Sequence, residues 1–278
     1  MKQLFDTVSA QCSKLTTKKY STSFSLGIQF LDKKIHPPIY GIYGFVRFAD
    51  EIVDSFHGYD KAFLLEKFRA DTLGSIAQKI SLNPILNSFQ HAVHQYNIEW
   101  ELIDTFLKSM EMDLTQKTYD KEAIAAYVVG SAEVVGLMCL RVFSGGNEKL
   151  YQQLKPYAMK LGSAFQKINF LRDLKADYVG LGRNYFPDIN FEKFCLHDKE
   201  KIQHEIESEF EEALAGIKLL PSSSRMGVYL AYIYYRKLFN KIKNVSPEKI
   251  MVERIRIPDI NKLGLLFQTF IRLKINRI

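Results

Sequence analysis

Along this chain apolar residues return every three or four positions nearly everywhere, the period of a helix with one buried face, whereas strict alternation and two-residue hairpin turns are absent. The pattern predicts an all-α protein. Pro37-Pro38 opens a helix running to about His57-Gly58, since proline is tolerated in a first turn and glycine commonly follows a last one. The same punctuation places further helices at about 60–78, 84–97, 99–117, 121–143 before Gly145-Gly146, 149–178, 199–219 before Pro221, and 225–243. Gly180, Gly182 and Pro187 mark 179–194 as a loop after the longest helix. No linker or repeat separates these helices, so one domain is expected over 1–278, ending in a basic amphipathic segment at about 259–278.

Composition changes this picture little. With 278 residues, 47% of them hydrophobic and 13% aromatic, the chain is large enough for a packed core and is not a disordered one. The opening MKQLFDTVSAQCSKLTTKKYS lacks the continuous apolar stretch of a secretion signal, and nowhere do about 18 apolar residues run uninterrupted, so a cytoplasmic protein is expected. Cys12, Cys139 and Cys195 are odd in number and lack C-x-x-C spacing, which predicts reduced, packed thiols rather than disulfides or zinc. His91 and His94 share a helix face, but no third ligand accompanies them, as zinc would need.

Charge becomes informative once it is located. Residues 225–278 hold 12 Lys/Arg against 3 Asp/Glu, a local balance of +9 within a total of +7, which leaves the first 224 residues at −2. No nucleic-acid motif accompanies this basic end, so no nucleic-acid partner is expected. In INKLGLLFQTFIRLKINRI, Leu263, Leu266, Phe267, Phe270 and Ile271 share one face while Lys262, Arg272, Lys274 and Arg277 lie largely elsewhere. Two readings stay open for this segment: peripheral contact with the inner face of an anionic membrane, or packing onto the domain.

Candidate chemistry appears first in IYGFVRFADEIVDSF, where Tyr43, Arg47, Asp50 and Asp54 follow spacings of four, three and four. Asp50 and Asp54 then differ by about 40° around the helix axis and are surface neighbours. Ile42, Phe45, Val46, Phe48, Ile52 and Val53 surround this polar stripe, so the helix carrying it should be buried. A second segment, AFQKINFLRDLKADY, repeats the arrangement with Gln166, Asn169, Asp173 and Asp177, with Arg172 beside them. A single D-x-x-x-D is common on solvated helix faces. Two such stripes on two apolar helices ask for a shared partner, and Mg²⁺, or Mn²⁺ in its place, suits them because it takes hard oxygen ligands together with substrate phosphates. Arg47 and Arg172 would meet the phosphate oxygens.

These residues carry a resemblance. YSTSFSLG, IYGFVRFADEIVD, MEMDLTQKTY, AYVVGSAEVVGLMCLRVF and FQKINFLRDLKADYVGLGRNYFP stand in the order and approximate spacing of the squalene and phytoene synthase family, and most closely resemble its bacterial phytoene synthases. The resemblance implies an isoprenoid synthase fold, like the class I terpenoid synthases, in which a helical bundle encloses a central cavity. It implies that Asp50, Asp54, Asp173 and Asp177 hold Mg²⁺ with help from Asn169. Ser21, Tyr43, Arg47, Gln166 and Arg172 would hold diphosphate, Ser23 and Phe24 would line the same element, and Arg183 and Tyr185 would belong to a loop closing over the second motif. Tyr127 is implied to steer cationic intermediates or to move a proton. Many relatives open the first motif with Asp-Asp where this chain has Asp50-Glu51, so the role of Glu51 stays open. Gly130, Ser131, Ala132 and Gly136 suggest either close helix packing or room for long chains.

The implied activity joins two geranylgeranyl diphosphates head to head into phytoene through a cyclopropyl intermediate, with no NADPH expected. Three other readings compete: a squalene or dehydrosqualene synthase acting on farnesyl diphosphate, a terpene cyclase or chain-elongating enzyme, and a noncatalytic helical scaffold. The YSTSF and AYVVGSAEVVG segments weigh against a cyclase, and intact carboxylates in both motifs weigh against a scaffold.

Overall fold

The computed structural model of the protein describes residues 1–256, except for Lys117, Leu181, Asp188, Asn190, Glu192, Lys193 and the side chain of Val179. Among these residues there is no strand, only an isolated bridge between Thr118 and Asn184. The helices are α1 (Lys2–Tyr20), α2 (Thr22–Gln29), α3 (His36–Ser55), α4 (Lys61–Gln78), α5 (Pro84–Tyr96), α6 (Trp100–Thr115), α7 (Lys121–Val128), α8 (Val134–Ser144), α9 (Glu148–Leu174), α10 (Leu196–Leu219), α11 (Ser222–Lys243) and α12 (Pro247–Val252). The all-α expectation holds. The predicted C-terminal segment at 259–278 lies outside the described residues.

Helix starts are fixed by side chains that accept otherwise orphaned backbone N–H groups. Asp60 accepts from Phe63 at 3.0 Å, Asn83 from Ile85 at 3.0 Å, Asp120 from Ala123 at 2.8 Å and Asn147 from Leu150 at 3.0 Å. Two helices depart from the expected periods. The helix expected at 121–143 is bent into α7 and α8 by a π turn at Val129–Glu133, and the one expected at 149–178 passes at Leu174 into a π turn, Lys175–Gly180. A π turn adds one residue to the repeat, which a 3.6-residue pattern does not register. The N-terminal helices α1 and α2 and the short α12 were not expected.

Two large apolar clusters and a small one around Tyr119, Tyr127, Val128, Phe170 and Tyr185 build the core among the described residues. In the first, Phe45 of α3 stacks on Phe89 of α5 at 4.0 Å between ring centroids, with Phe68 and Phe106 closing around it. In the second, Phe210, Phe239, Leu171 and Ile206 gather α9, α10 and α11, and Leu102 and Phe143 pack against both clusters. Lys121–Ser144 is long and apolar enough by composition to cross a membrane, although Glu133 and Arg141 interrupt it, but here no residue from Tyr127 to Ser144 is exposed. Its α8 part packs against α3, α5, α6 and α9.

Its small residues serve close approach. A Cβ on Gly130 would lie 2.6 Å from the Cβ of Ser109, and one on Gly162 of α9 would lie 2.9 Å from the Ala132 carbonyl oxygen. Ser131, Ala132 and Gly136 also face the interior cavity, so both sequence readings apply, to different positions. The histidines of α5 do not form a ligand pair: His91 lies 3.1 Å from the Asp6 carboxylate and His94 lies 2.8 Å from the Ile76 carbonyl. Of the thiols, Cys12 and Cys139 are half-buried, while Cys195 is exposed and donates to Asp198, contrary to the expectation that all three are packed.

Candidate active site

A cavity of about 820 Å³ opens between α2, α3, α6, α8, α9 and α11. All fifteen candidate residues line it: Ser21, Ser23, Phe24, Tyr43, Arg47, Asp50, Asp54, Tyr127, Gln166, Asn169, Arg172, Asp173, Asp177, Arg183 and Tyr185. Helix periodicity explains the grouping, because each acidic motif keeps its carboxylates on the one stripe of α3, or of α9 and its π turn, that the apolar faces leave to the interior.

On α3, Nη1 of Arg47 lies 3.3 Å from Oδ2 of Asp50, and the other terminal nitrogen engages Glu51. The guanidinium lies 4.4 Å from the centroid of the Tyr20 ring, and its Nε is buried without a partner. Burial would raise the Glu51 carboxyl, but the hydrogen bond from Arg47 holds it below the usual carboxylate range. Glu51 thus braces Arg47 and does not line the cavity. Tyr43 is hydrogen-bonded to Ser21, and burial pushes its hydroxyl up to about 12.

On α9, Arg172 chelates its neighbour Asp173, with Nε 3.1 Å and Nη2 2.5 Å from Oδ2. Arg254, which follows α12, places its Nε 2.6 Å from Oδ1 of the same carboxylate. Asn169 accepts from the Tyr235 hydroxyl at 3.3 Å, and the Tyr235 ring stacks on Phe165 at 3.8 Å.

Between the two motifs stands a residue that the motif spacing did not single out. Asp113 of α6 accepts hydrogen bonds from Tyr127 at 2.8 Å, Tyr119 at 3.2 Å and Tyr185 at 3.3 Å. Arg183 lies 3.7 Å from this carboxylate, donates to the Asp113 carbonyl at 2.9 Å, and reaches Asp54 at 3.4 Å. The loop after α9 is therefore tied to both α3 and α6. One signal in the sequence pointed there: Asp113 continues the apolar stripe of Phe106 and Met110, a carboxylate where a core residue would be expected. Arg254 carries no such signal, since only the fold brings it to α9.

Electrostatics sharpen the reading. Asp50 is pushed up to about 7, first by burial and then by Asp54, and Asp177 likewise by burial and by Asp173. Asp113 rises to about 6 through burial, despite Arg183. Five carboxylates thus share one cavity, where burial and mutual repulsion hold Asp50, Asp113 and Asp177 above the usual carboxylate range. Such a set of hard oxygen donors, with Asn169 beside it, fits a divalent cation. Among the described residues no three acidic, histidine or cysteine side chains already converge on one point; Arg172 and Arg254 pair with Asp173, and Arg183 with Asp54.

A family profile described as "Squalene/phytoene synthase" matches residues 17–259. The chain belongs to the squalene/phytoene synthase family. Among its relatives, phytoene synthase 1 of Solanum lycopersicum is 25% identical over 246 residues, covering 81% of this chain and 59% of that protein. The chain thus spans less than two thirds of that relative's length. The presqualene diphosphate synthase of Sinorhizobium fredii is 28% identical over 243 residues, covering 86% and 79% of the two chains. A crystal structure of a dehydrosqualene synthase superposes with a TM-score of 0.83 at 21% identity, over 97% of this chain and 98% of that one, which establishes the isoprenoid synthase helical fold. The relatives of this squalene/phytoene synthase family member bear different product names, so membership alone leaves the product open.

Proposed function

We propose that this protein is a prenyltransferase that joins two prenyl diphosphates head to head, with geranylgeranyl diphosphate as substrate and phytoene as product. The observation that carries the reading is one cavity whose acidic and arginine side chains gather around the two motifs while most of the rest of its wall is apolar. Asp50 and Asp54 on one side, and Asp173, Asp177 and Asn169 on the other, would hold Mg²⁺. When bound, that ion supplies positive charge to the diphosphate as the allylic C–O bond breaks.

The chain's own groups do the rest. Arg47, Arg172, Tyr43, Ser21 and Gln166, which line the cavity, would hold diphosphate oxygens. Ile28, Val46, Leu140, Leu161 and Phe165 line the remaining wall, where they accept the hydrocarbon tails and keep water from an allylic cation until the second alkene attacks. Tyr127 faces the cavity with its hydroxyl fixed on Asp113, a pair positioned to orient or take up a proton released as the cyclopropyl ring forms.

A second reading, condensation of farnesyl diphosphate to presqualene diphosphate or a thirty-carbon hydrocarbon, is favoured by the Sinorhizobium relative at 28% identity. Incubating the purified chain with Mg²⁺ and either substrate, with and without NADPH, and identifying the hydrocarbon by mass spectrometry separates the two. Phytoene from geranylgeranyl diphosphate without NADPH supports the first. A thirty-carbon product from farnesyl diphosphate alone supports the second, and a cyclic hydrocarbon removes both.

A further inference from the structure

Helix α1 is built inside out. Its buried residues are Ser9, Ser13 and Thr17, all fully buried, where a helix on the surface of a globular protein normally turns its apolar side inward. Two of the hydroxyls are hydrogen-bonded, while that of Ser13 is buried without a partner. Ser9 donates to the Phe5 carbonyl at 2.9 Å and accepts from Asn87 of α5 at 3.1 Å, and Thr17 donates to the Ser13 carbonyl at 2.9 Å. Ser13 is small because α3 comes close: a Cβ on Gly44 would stand 3.1 Å from the Ser13 hydroxyl oxygen.

The consequence lies on the other side of the helix. Leu4, Val8 and Leu15 are 68%, 45% and 58% exposed. At about 100° per residue they fall within an arc of about 40°, centred about 160° from the buried hydroxyls. Exposed Lys18 and Lys19 flank that arc, and Lys14 follows on the Lys18 side; none of the three pairs with an acid among the described residues. Asp6, the only acid on the helix, is occupied by Lys2 at 2.8 Å and by Asn87 and His91. An ordered apolar stripe bordered by unpaired lysines matches an anionic lipid surface, which offers hydrocarbon to the stripe and phosphate to the ammonium groups. The helix also ends at the cavity, which Tyr20 and Ser21 line.

We propose that the outer face of α1 docks the protein on an anionic bilayer, with the cavity mouth beside the lipid headgroups. The inference concerns a surface that the catalytic reading leaves unused, and its test reads binding rather than turnover. Full-length protein is sedimented with vesicles of phosphatidylcholine, alone or with about one third phosphatidylglycerol. Wild type should bind the anionic vesicles and bind the neutral ones much more weakly. Lys14→Gln/Lys18→Gln/Lys19→Gln should lose roughly fivefold in affinity per lysine on anionic vesicles. Leu4→Ser/Val8→Ser/Leu15→Ser should weaken binding by at least about tenfold while its melting temperature and its sedimentation velocity stay those of wild type. Absence of wild-type binding, or full binding by the serine variant, overturns the proposal. A serine variant that changes from dimer to monomer shows that a second copy covers the stripe, and one that melts well below wild type shows that the rest of the chain covers it; either result also overturns it.

Discussion

Replacing Asp113 tests how the two acidic motifs are joined, because this carboxylate collects three tyrosine hydroxyls and the Arg183 side chain at the cavity wall. Asp113→Ala leaves three buried donors unsatisfied, at about 1–3 kcal/mol each before water enters. Against this, the substitution removes the cost of an ionised carboxylate in that setting. A rise from 3.8 to about 6 corresponds to about 3 kcal/mol at neutral pH. Taking the middle of that range, about 6 kcal/mol for the three donors, the balance is a loss of about 3 kcal/mol, read as the midpoint shift in guanidinium unfolding. Asp113→Asn keeps an acceptor for the tyrosines and should cost only about 1–2 kcal/mol, yet lower kcat much more than it raises KM, because Tyr127 and Arg183 lose the charge that orients them. A double-mutant cycle with Tyr127→Phe should show about 1 kcal/mol of coupling. An alanine variant as stable as wild type, or an asparagine variant with unchanged kcat, would refute this account of Asp113.

Asp50→Asn and Asp173→Asn should each lower turnover by about two orders of magnitude or more, with circular dichroism and melting temperature close to wild type, since both carboxylates face the cavity rather than the core; near-normal turnover in both would remove the proposed Mg²⁺ clamp. Without divalent cations the protein should lose stability as pH rises from about 4 to about 7. Unfolded carboxyls deprotonate near the bottom of that window. In the fold, Asp50 and Asp177 keep their protons to about 7 and Asp113 to about 6, so the native state binds more protons across the window. Thermal melts in chelator at pH 5 and pH 8 check the sign, and Mg²⁺ should restore part of the loss at pH 8. Gly162→Ala should cost about 1–3 kcal/mol, because its Cβ would press to 2.9 Å on the Ala132 carbonyl where α9 crosses the π turn; an unchanged unfolding midpoint would show that the two backbones can separate freely.

Much of this structure was written in local pattern. The start of α3 at Pro37-Pro38, the caps at Asn83, Asp120 and Asn147, and the stop at Gly145 are decisions of a few neighbouring residues, and the helices between them follow. The two acidic stripes were legible for the same reason, since a spacing of four places two carboxylates on one face without any tertiary information. What escaped depends on other helices. In α1 the buried face is hydroxyl rather than apolar, so its period carries no hydrophobic signal until α3 and α5 are seen against it. The π turns break a repeat that pattern reading assumes constant. Asp113 lies 63 residues beyond Asp50 and 60 before Asp173 in the sequence, and only the packing of α6 between the motifs places it in the cavity wall.

The central claim is that two prenyl diphosphates react in this cavity and that both lose their diphosphate. The most direct measurement is stoichiometry: inorganic pyrophosphate released per hydrocarbon formed, with geranylgeranyl diphosphate as substrate and Mg²⁺ present. The account predicts two pyrophosphates per forty-carbon hydrocarbon, and none of either product when Mg²⁺ is chelated. One pyrophosphate per twenty-carbon hydrocarbon, the balance of a cyclase or a simple elimination, would contradict it.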